Sequence, residues 1–262
     1  MRRALAFAAG AFAARAVLAG VRTTPRADVL ERTNFRGRAV SLAGGPALAV
    51  GASAGAVLSA RTSREAGAAL VAGLGAGAVG WYDDLVGGQP RHQAKGLRGH
   101  LGALRERRVT SGLAKIAGVG AAALAASALL PRRRGVLDTL LGAGLIAGTA
   151  NLVNLLDLRP GRALKAGLLV GVPLGAAGPV GASAALLRED LGEEIMLGDA
   201  GANALGALLG VALAARTGPV GRAVLLAGVA GLTLASEKVS FTQVIERTPG
   251  LRELDALGRR HR

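Results

Sequence analysis

Asp83 and Asp84 stand side by side at the end of a glycine-rich apolar run, Gly73 to Gly88. Adjacent carboxylates repel one another and each seeks water, so such a pair costs free energy unless a cation or hydrogen-bond donors offset it. Two more acidic clusters lie beside later apolar runs. One holds Asn151, Asn154 and Asp157, and the i, i+3 spacing of 154 and 157 puts both on one face of a helix. The other is Leu197-Gly-Asp-Ala-Gly201, with Asp199 at its centre. A fourth polar stretch, Asn34 to Pro46, leads into an apolar run. Of the 32 Lys and Arg, only Lys95, Lys115, Lys165 and Lys238 are lysines, and the first two flank the loop after the acid pair. Carboxylate and amide oxygens are the donors that Mg²⁺ takes together with phosphate oxygens. An ammonium group can approach a phosphate oxygen as a compact point charge. The chemistry indicated is the handling of a cation and a diphosphate.

The elements that must position these residues are read from hydropathy. The chain has 262 residues, 51% of them hydrophobic but only 2% aromatic, with a mean hydropathy of +0.41. Small residues let helix backbones approach closely in lipid. Apolar runs fall at 4–21, 41–60, 66–82, 112–130, 135–153, 163–177, 179–187, 200–215 and 219–236. They predict an all-α, polytopic integral membrane protein with about nine transmembrane helices, broken at Gly178-Pro179 into two short ones. The transmembrane helical domain is placed at 1–236 and a cytoplasmic basic tail at 237–262. With the Asp83 loop cytoplasmic, inner segments hold more than twice the Lys and Arg of outer ones, Arg132 to Arg134 being the exception. The positive-inside rule then puts the N-terminus outside, the C-terminus in the cytoplasm and the acid clusters on the cytoplasmic face of the cell's inner (plasma) membrane. The first run is read as a retained span, because Arg15 interrupts it and eight runs follow.

Other classes are set aside on composition. No cysteine is present, so thiolate metal sites and disulfides are excluded. His92, His100 and His261 are too scattered for a zinc site. The net charge of +15 falls between apolar runs, which points to lipid headgroups and not to nucleic acid. Gly75 to Gly80 matches G-x-G-x-x-G but lies inside a membrane run with no strand before it. Glu189, Asp190, Glu193 and Glu194 are expected to form a solvated loop.

Taken in order, Gly80-Trp-Tyr-Asp-Asp-Leu-Val-Gly87, Asn151-Leu-Val-Asn-Leu-Leu-Asp157 and Leu197-Gly-Asp-Ala-Gly201 resemble three motifs of one family. It is the polyprenyl-phosphate N-acetylhexosamine-1-phosphate transferases (glycosyltransferase family 4). Ala43-Gly-Gly-Pro46 is similar to the entry of that family's second helix, and the resemblance spans about residues 30–236. It implies a phosphotransferase of cell-envelope (cell wall) glycan biosynthesis. A membrane polyprenyl phosphate attacks the β-phosphate of a UDP-sugar, and UMP leaves. It further implies Mg²⁺ as cofactor, held by Asp199 and Asn154, with Asp83, Asp84 and Asp157 catalytic. Lys95, Lys115, Asn151, Asn154 and Arg159 would bind substrate, and a homodimer is the assembly it suggests. Pro160 stands where the family has a further Asp, and the family's late histidine cluster has no counterpart before His261. Arg159, Arg162, Glu237 and Lys238 are the expected replacements. The alternative expectation is a catalytically altered relative or a transporter that keeps the fold and lipid site.

Overall fold

A computed structural model describes residues 1–25, 27–87, 111–131 and 135–259. Helix α1 (Arg2–Arg22) leads to a short hairpin of β1 (Glu31–Thr33) and β2 (Ala39–Ser41). There follow α2 (Gly44–Ser59), α3 (Ser63–Val86), α4 (Ser111–Leu129), α5 (Val136–Leu156), α6 (Arg162–Leu174), α7 (Ala177–Leu191), α8 (Gly198–Arg216) and α9 (Pro219–Ser236). Two short helices, α10 (Phe241–Arg247) and α11 (Leu251–Ala256), complete the described chain.

The fold is all-α apart from the hairpin, but the expectation of nine membrane spans is overturned. Among the described residues five helices are long and apolar enough to cross a bilayer: α1, α4, α5, α8 and α9. These are the helices of a multi-pass membrane protein. Each of the other four runs does form a helix, and each falls short for its own reason. Helix α2 has 16 residues, α6 has 13 and α7 has 15, against the ~20 that a span needs. Helix α3 has 24 residues, but glycines and the terminal Arg64, Glu65, Asp83 and Asp84 dilute its hydropathy. An apolar run therefore marked a helix correctly without marking a crossing.

The break between α6 and α7 also differs from expectation. Helix α6 stops at Gly175, whose left-handed φ of +60° is the usual helix-ending conformation. Gly178 and Pro179 lie instead in the first turn of α7, where a missing proline N–H costs no helical hydrogen bond.

Helix α8 is the axis of the molecule. Of its most apolar window 78% is buried, against 6% for α9. One core joins α8 to α1, α2, α6 and α7 through residues such as Leu18, Leu48, Leu164 and Leu205. The other joins its opposite side to α3, α4 and α5 through Val119, Leu145, Ile146 and Val211. Helix α9 packs chiefly on α5 and leaves Val220, Val224 and Leu234 exposed, as a lipid-facing helix does.

The segment after residue 236 is tied to the bundle. Asp255 of α11 accepts two hydrogen bonds from the Arg162 guanidinium, at 2.9 and 3.0 Å, and one from Arg259 at 2.6 Å. Arg162 also donates to the Thr242 hydroxyl of α10 at 2.9 Å, and Lys165 to the carbonyl of Asp255 at 2.8 Å. Arg259 donates to the carbonyl of Pro160, the position where the resemblance would put an acid. Arg162, one of the expected replacements for the missing contacts, is thus buried and joins α6 to α10 and α11.

Candidate functional site

The acidic clusters converge on the N-terminus of α8. The first N–H groups of a helix have no partner within it, so they need acceptors from elsewhere and favour negative charge. Asp84 supplies both oxygens, accepting from the N–H of Asp199 at 2.9 Å and of Ala200 at 3.0 Å. Asp157, the residue that ends α5, lies near the backbone N–H of Gly198, which favours its charged form. Asp84 thus satisfies two of the first three amides of α8, and Asp157 stands beside the third. Gly198 is required here, since its φ is +56° and a Cβ would press on the Asp84 carboxylate.

This contact needs the end of α3 to touch the start of α8, and Gly80 permits it. A Cβ at Gly80 would overlap the carbonyl of Asp199, a backbone atom that cannot turn aside. Gly80→Ala should therefore force the two helices apart, and we expect a loss of about 1–3 kcal/mol, the usual cost of overpacking. A fall in thermal unfolding midpoint measures it, and an unchanged midpoint would show that the helices separate freely.

The side chains left facing outward are Asp83, Lys115 and Asp199. Lys115, projecting from α4, places Nζ 2.5 Å from Asp199 Oδ2 and 3.8 Å from Asp83 Oδ2. All three are about one-fifth exposed, so the group is reachable from solvent yet partly shielded. The acids expected to be catalytic (Asp83, Asp84, Asp157) and to hold metal (Asp199) are placed in two ways. Asp84 binds backbone amides at the start of α8, with Asp157 close by. Asp83 and Asp199 share a cation.

The remaining expected site residues are placed less uniformly. Asn154 lies one turn before Asp157, and its carbonyl accepts the Asp157 N–H at 3.1 Å. Asn151, expected at the substrate, is exposed and donates to Thr233 of α9 at 3.4 Å. Arg159 stacks on Phe35, its Cζ 4.2 Å from the ring centroid. Lys95 lies outside the described residues.

Beside the cluster, a cavity of about 230 Å³ is lined by Phe35, Asp157, Arg159, Asp190, Glu193 and Met196, among others. The expected solvated loop holds for Glu194, which is exposed, and is corrected for the other three acids. Glu189, Asp190 and Glu193 are buried. Glu189 pairs with Arg15, Glu193 with Arg36 and Asn34, and Asp190 accepts the Gly161 N–H at 2.7 Å. Sequence reasoning missed Phe35 and the burial of these acids; a lone phenylalanine in a polar stretch, followed by Arg36 and Arg38, was the available signal only for Phe35. A second, apolar groove of about 750 Å³ runs between α1, α2 and α3, with Trp81 and Leu85 at its edge, on the same helix as the acid pair.

Burial pushes Asp190 up to about 7, opposed by the Gly161 hydrogen bond and by Arg259 and Lys165. Burial, and then the charge of Asp190, hold Asp157 well above the usual carboxylate range. A carboxyl whose folded pKa is raised stabilises the fold below its unfolded pKa and loses that contribution as pH rises. For Asp190 the loss runs from about pH 4 to about pH 7. Asp190→Asn should flatten the decline of stability over that window, and denaturant unfolding at several pH values reads it directly.

Among the described residues no three acidic or histidine side chains are grouped to hold a metal ion. The donor set nevertheless fits one class of ion. Two carboxylate oxygens already face one cationic atom, Lys115 Nζ, and Mg²⁺ commonly takes one or two carboxylates and completes its shell with water and phosphate oxygens. No protein-family model matches the chain, and no curated protein matches it.

Proposed function

We propose that the protein transfers a sugar-1-phosphate from a UDP-sugar to a membrane polyprenyl phosphate, releasing UMP. The observation that carries this reading is the meeting of Asp83, Lys115 and Asp199, from α3, α4 and α8, at one end of a membrane bundle. Asp83 and Asp199 belong to motifs whose order resembles the transferase family. The apolar groove along α3 supports it, because a prenyl chain lying there would bring its phosphate toward the acid pair. The cytoplasm is the side assigned to the acids, since nucleotide sugars are made there and the basic residues favour it.

Asp83 and Asp199 are the residues that would hold Mg²⁺, which when bound supplies charge neutralisation to a diphosphate. Lys115 holds a positive charge between the two carboxylates and is placed to pair with a phosphate oxygen. Asp84 fixes the first turn of α8 and so the direction of the Asp199 carboxylate. In the reaction an oxygen of the prenyl phosphate forms a bond to the β-phosphorus. The bond from that phosphorus to the bridging oxygen breaks, and UMP leaves with the electron pair.

The test is UMP release by the purified protein with undecaprenyl phosphate and a panel of UDP-sugars. Release that requires Mg²⁺ and stops with chelator is expected. Absence of release with every donor would overturn the proposal.

A further inference from the structure

At the end of the bundle opposite the acids lies a cavity of about 320 Å³. Its floor is apolar, with Leu130 just after α4 and Leu208 and Val211 of α8. Its rim gathers Arg3 from the first turn of α1, Arg61 from the α2–α3 turn and Arg216 from the last turn of α8. Three positions so far apart in sequence meet only through the tertiary fold.

The charges there do not balance. Glu65 is the one acid among the described lining residues, and one of its oxygens accepts the Arg61 backbone N–H at 2.7 Å. Arg222, also in the lining, has its charge answered by Asp138 at 2.7 Å. Arg3 and Arg61 repel Arg216, and Glu65 attracts it. Two of the guanidinium groups have backbone neighbours: Arg3 lies against the turn at Gly175, and Arg216 donates to the Ala212 carbonyl at 3.0 Å. Three cations against one engaged carboxylate, over an apolar floor, form a receptor for an anion with hydrocarbon attached. Guanidinium forks match phosphate oxygens in geometry as well as charge. A volume of about 320 Å³ is at the low end of small-molecule sites, ~300–1,000 Å³.

We infer that this cavity binds a phosphate oxyanion, carried either by an anionic lipid headgroup at that membrane face or by a soluble phosphate. The site is remote from the acid cluster and does not depend on the proposed transfer.

The full chain in neutral detergent would be titrated with phosphatidylglycerol, with phosphatidylcholine and with inorganic phosphate, reading lipid binding by native mass spectrometry and phosphate binding by calorimetry. The wild type should bind phosphatidylglycerol over phosphatidylcholine, or bind inorganic phosphate. The double variant Arg61→Gln/Arg216→Gln should weaken that binding at least about tenfold, as expected for losing two charge-assisted contacts. Arg247→Gln, on α10, should leave it unchanged. Loss confined to phosphatidylglycerol supports a lipid headgroup, and loss confined to inorganic phosphate supports a soluble anion. Should the double variant not fold, Arg3→Gln alone reads the same loss. Wild-type protein that binds neither, or variants that bind as wild type does, would overturn the inference.

Discussion

Asp199→Asn is expected to lower UMP release at least about 100-fold, the scale of removing one charge-stabilising group from a reacting centre. The substitution leaves the Asp199 backbone N–H on Asp84, so the first turn of α8 keeps its anchor. It removes the carboxylate that stands 2.5 Å from Lys115 and leaves Asp83, at 3.8 Å, as the remaining ion-pair partner of that ammonium group among the described residues. Asp83→Asn should act in the same direction. Asp84→Asn should behave differently: one acceptor of two backbone N–H groups becomes an amide with a single acceptor oxygen, so stability should fall along with rate. Measuring rate and unfolding midpoint together separates the two classes. Full activity in a folded Asp199→Asn protein would remove the basis for placing the ion there.

The second large effect lies at the other end of the molecule. Arg222 and Asp138 are 1% and 2% exposed and pair at 2.7 Å, joining the first turns of α9 and α5. Arg222 also donates twice to the Ala214 carbonyl, at 3.0 and 2.7 Å, and so ties in the end of α8. Removing one partner of a buried pair leaves an uncompensated charge and typically costs ~3–5 kcal/mol. Asp138→Ala should therefore destabilise the fold by about 3 kcal/mol or more, the low end being apt because membrane references weaken polar effects. Helix α9 would be the first element released, since it packs chiefly on α5. A double-mutant cycle of Asp138→Ala and Arg222→Met, read by thermal unfolding in detergent, isolates the coupling. Additive effects would show that the pair contributes packing and no ionic coupling.

The divided roles of the acids have a consequence for the departures noted in sequence. Pro160 stands where the resemblance calls for an acid, and its carbonyl is held by Arg259 of the C-terminal segment. The same segment fixes Arg162 and Lys165 through Asp255. The neighbourhood of Asp157 is therefore braced from the tail, beside a cavity where Arg159 covers Phe35.

Sequence alone determined the helical, membrane-type character of the chain and the three segments that carry the acids. Apolar runs and small residues are local signals, and local periodicity reports them directly. It did not determine how many helices can cross a membrane, because glycine content and end charges trim an apolar run without abolishing its helix, as in α3. Nor could it tell Asp83 from its neighbour Asp84. Successive helical residues point about 100° apart, so one carboxylate met the amides of residues 199 and 200 while the other turned toward Lys115. The burial of Glu189, Asp190 and Glu193 was equally hidden, since their partners Arg15, Gly161 and Arg36 lie far away along the chain. Which acids anchor a helix and which face a cation is decided by contacts between residues from about thirty to more than a hundred positions apart, and only the packed bundle brings those partners together.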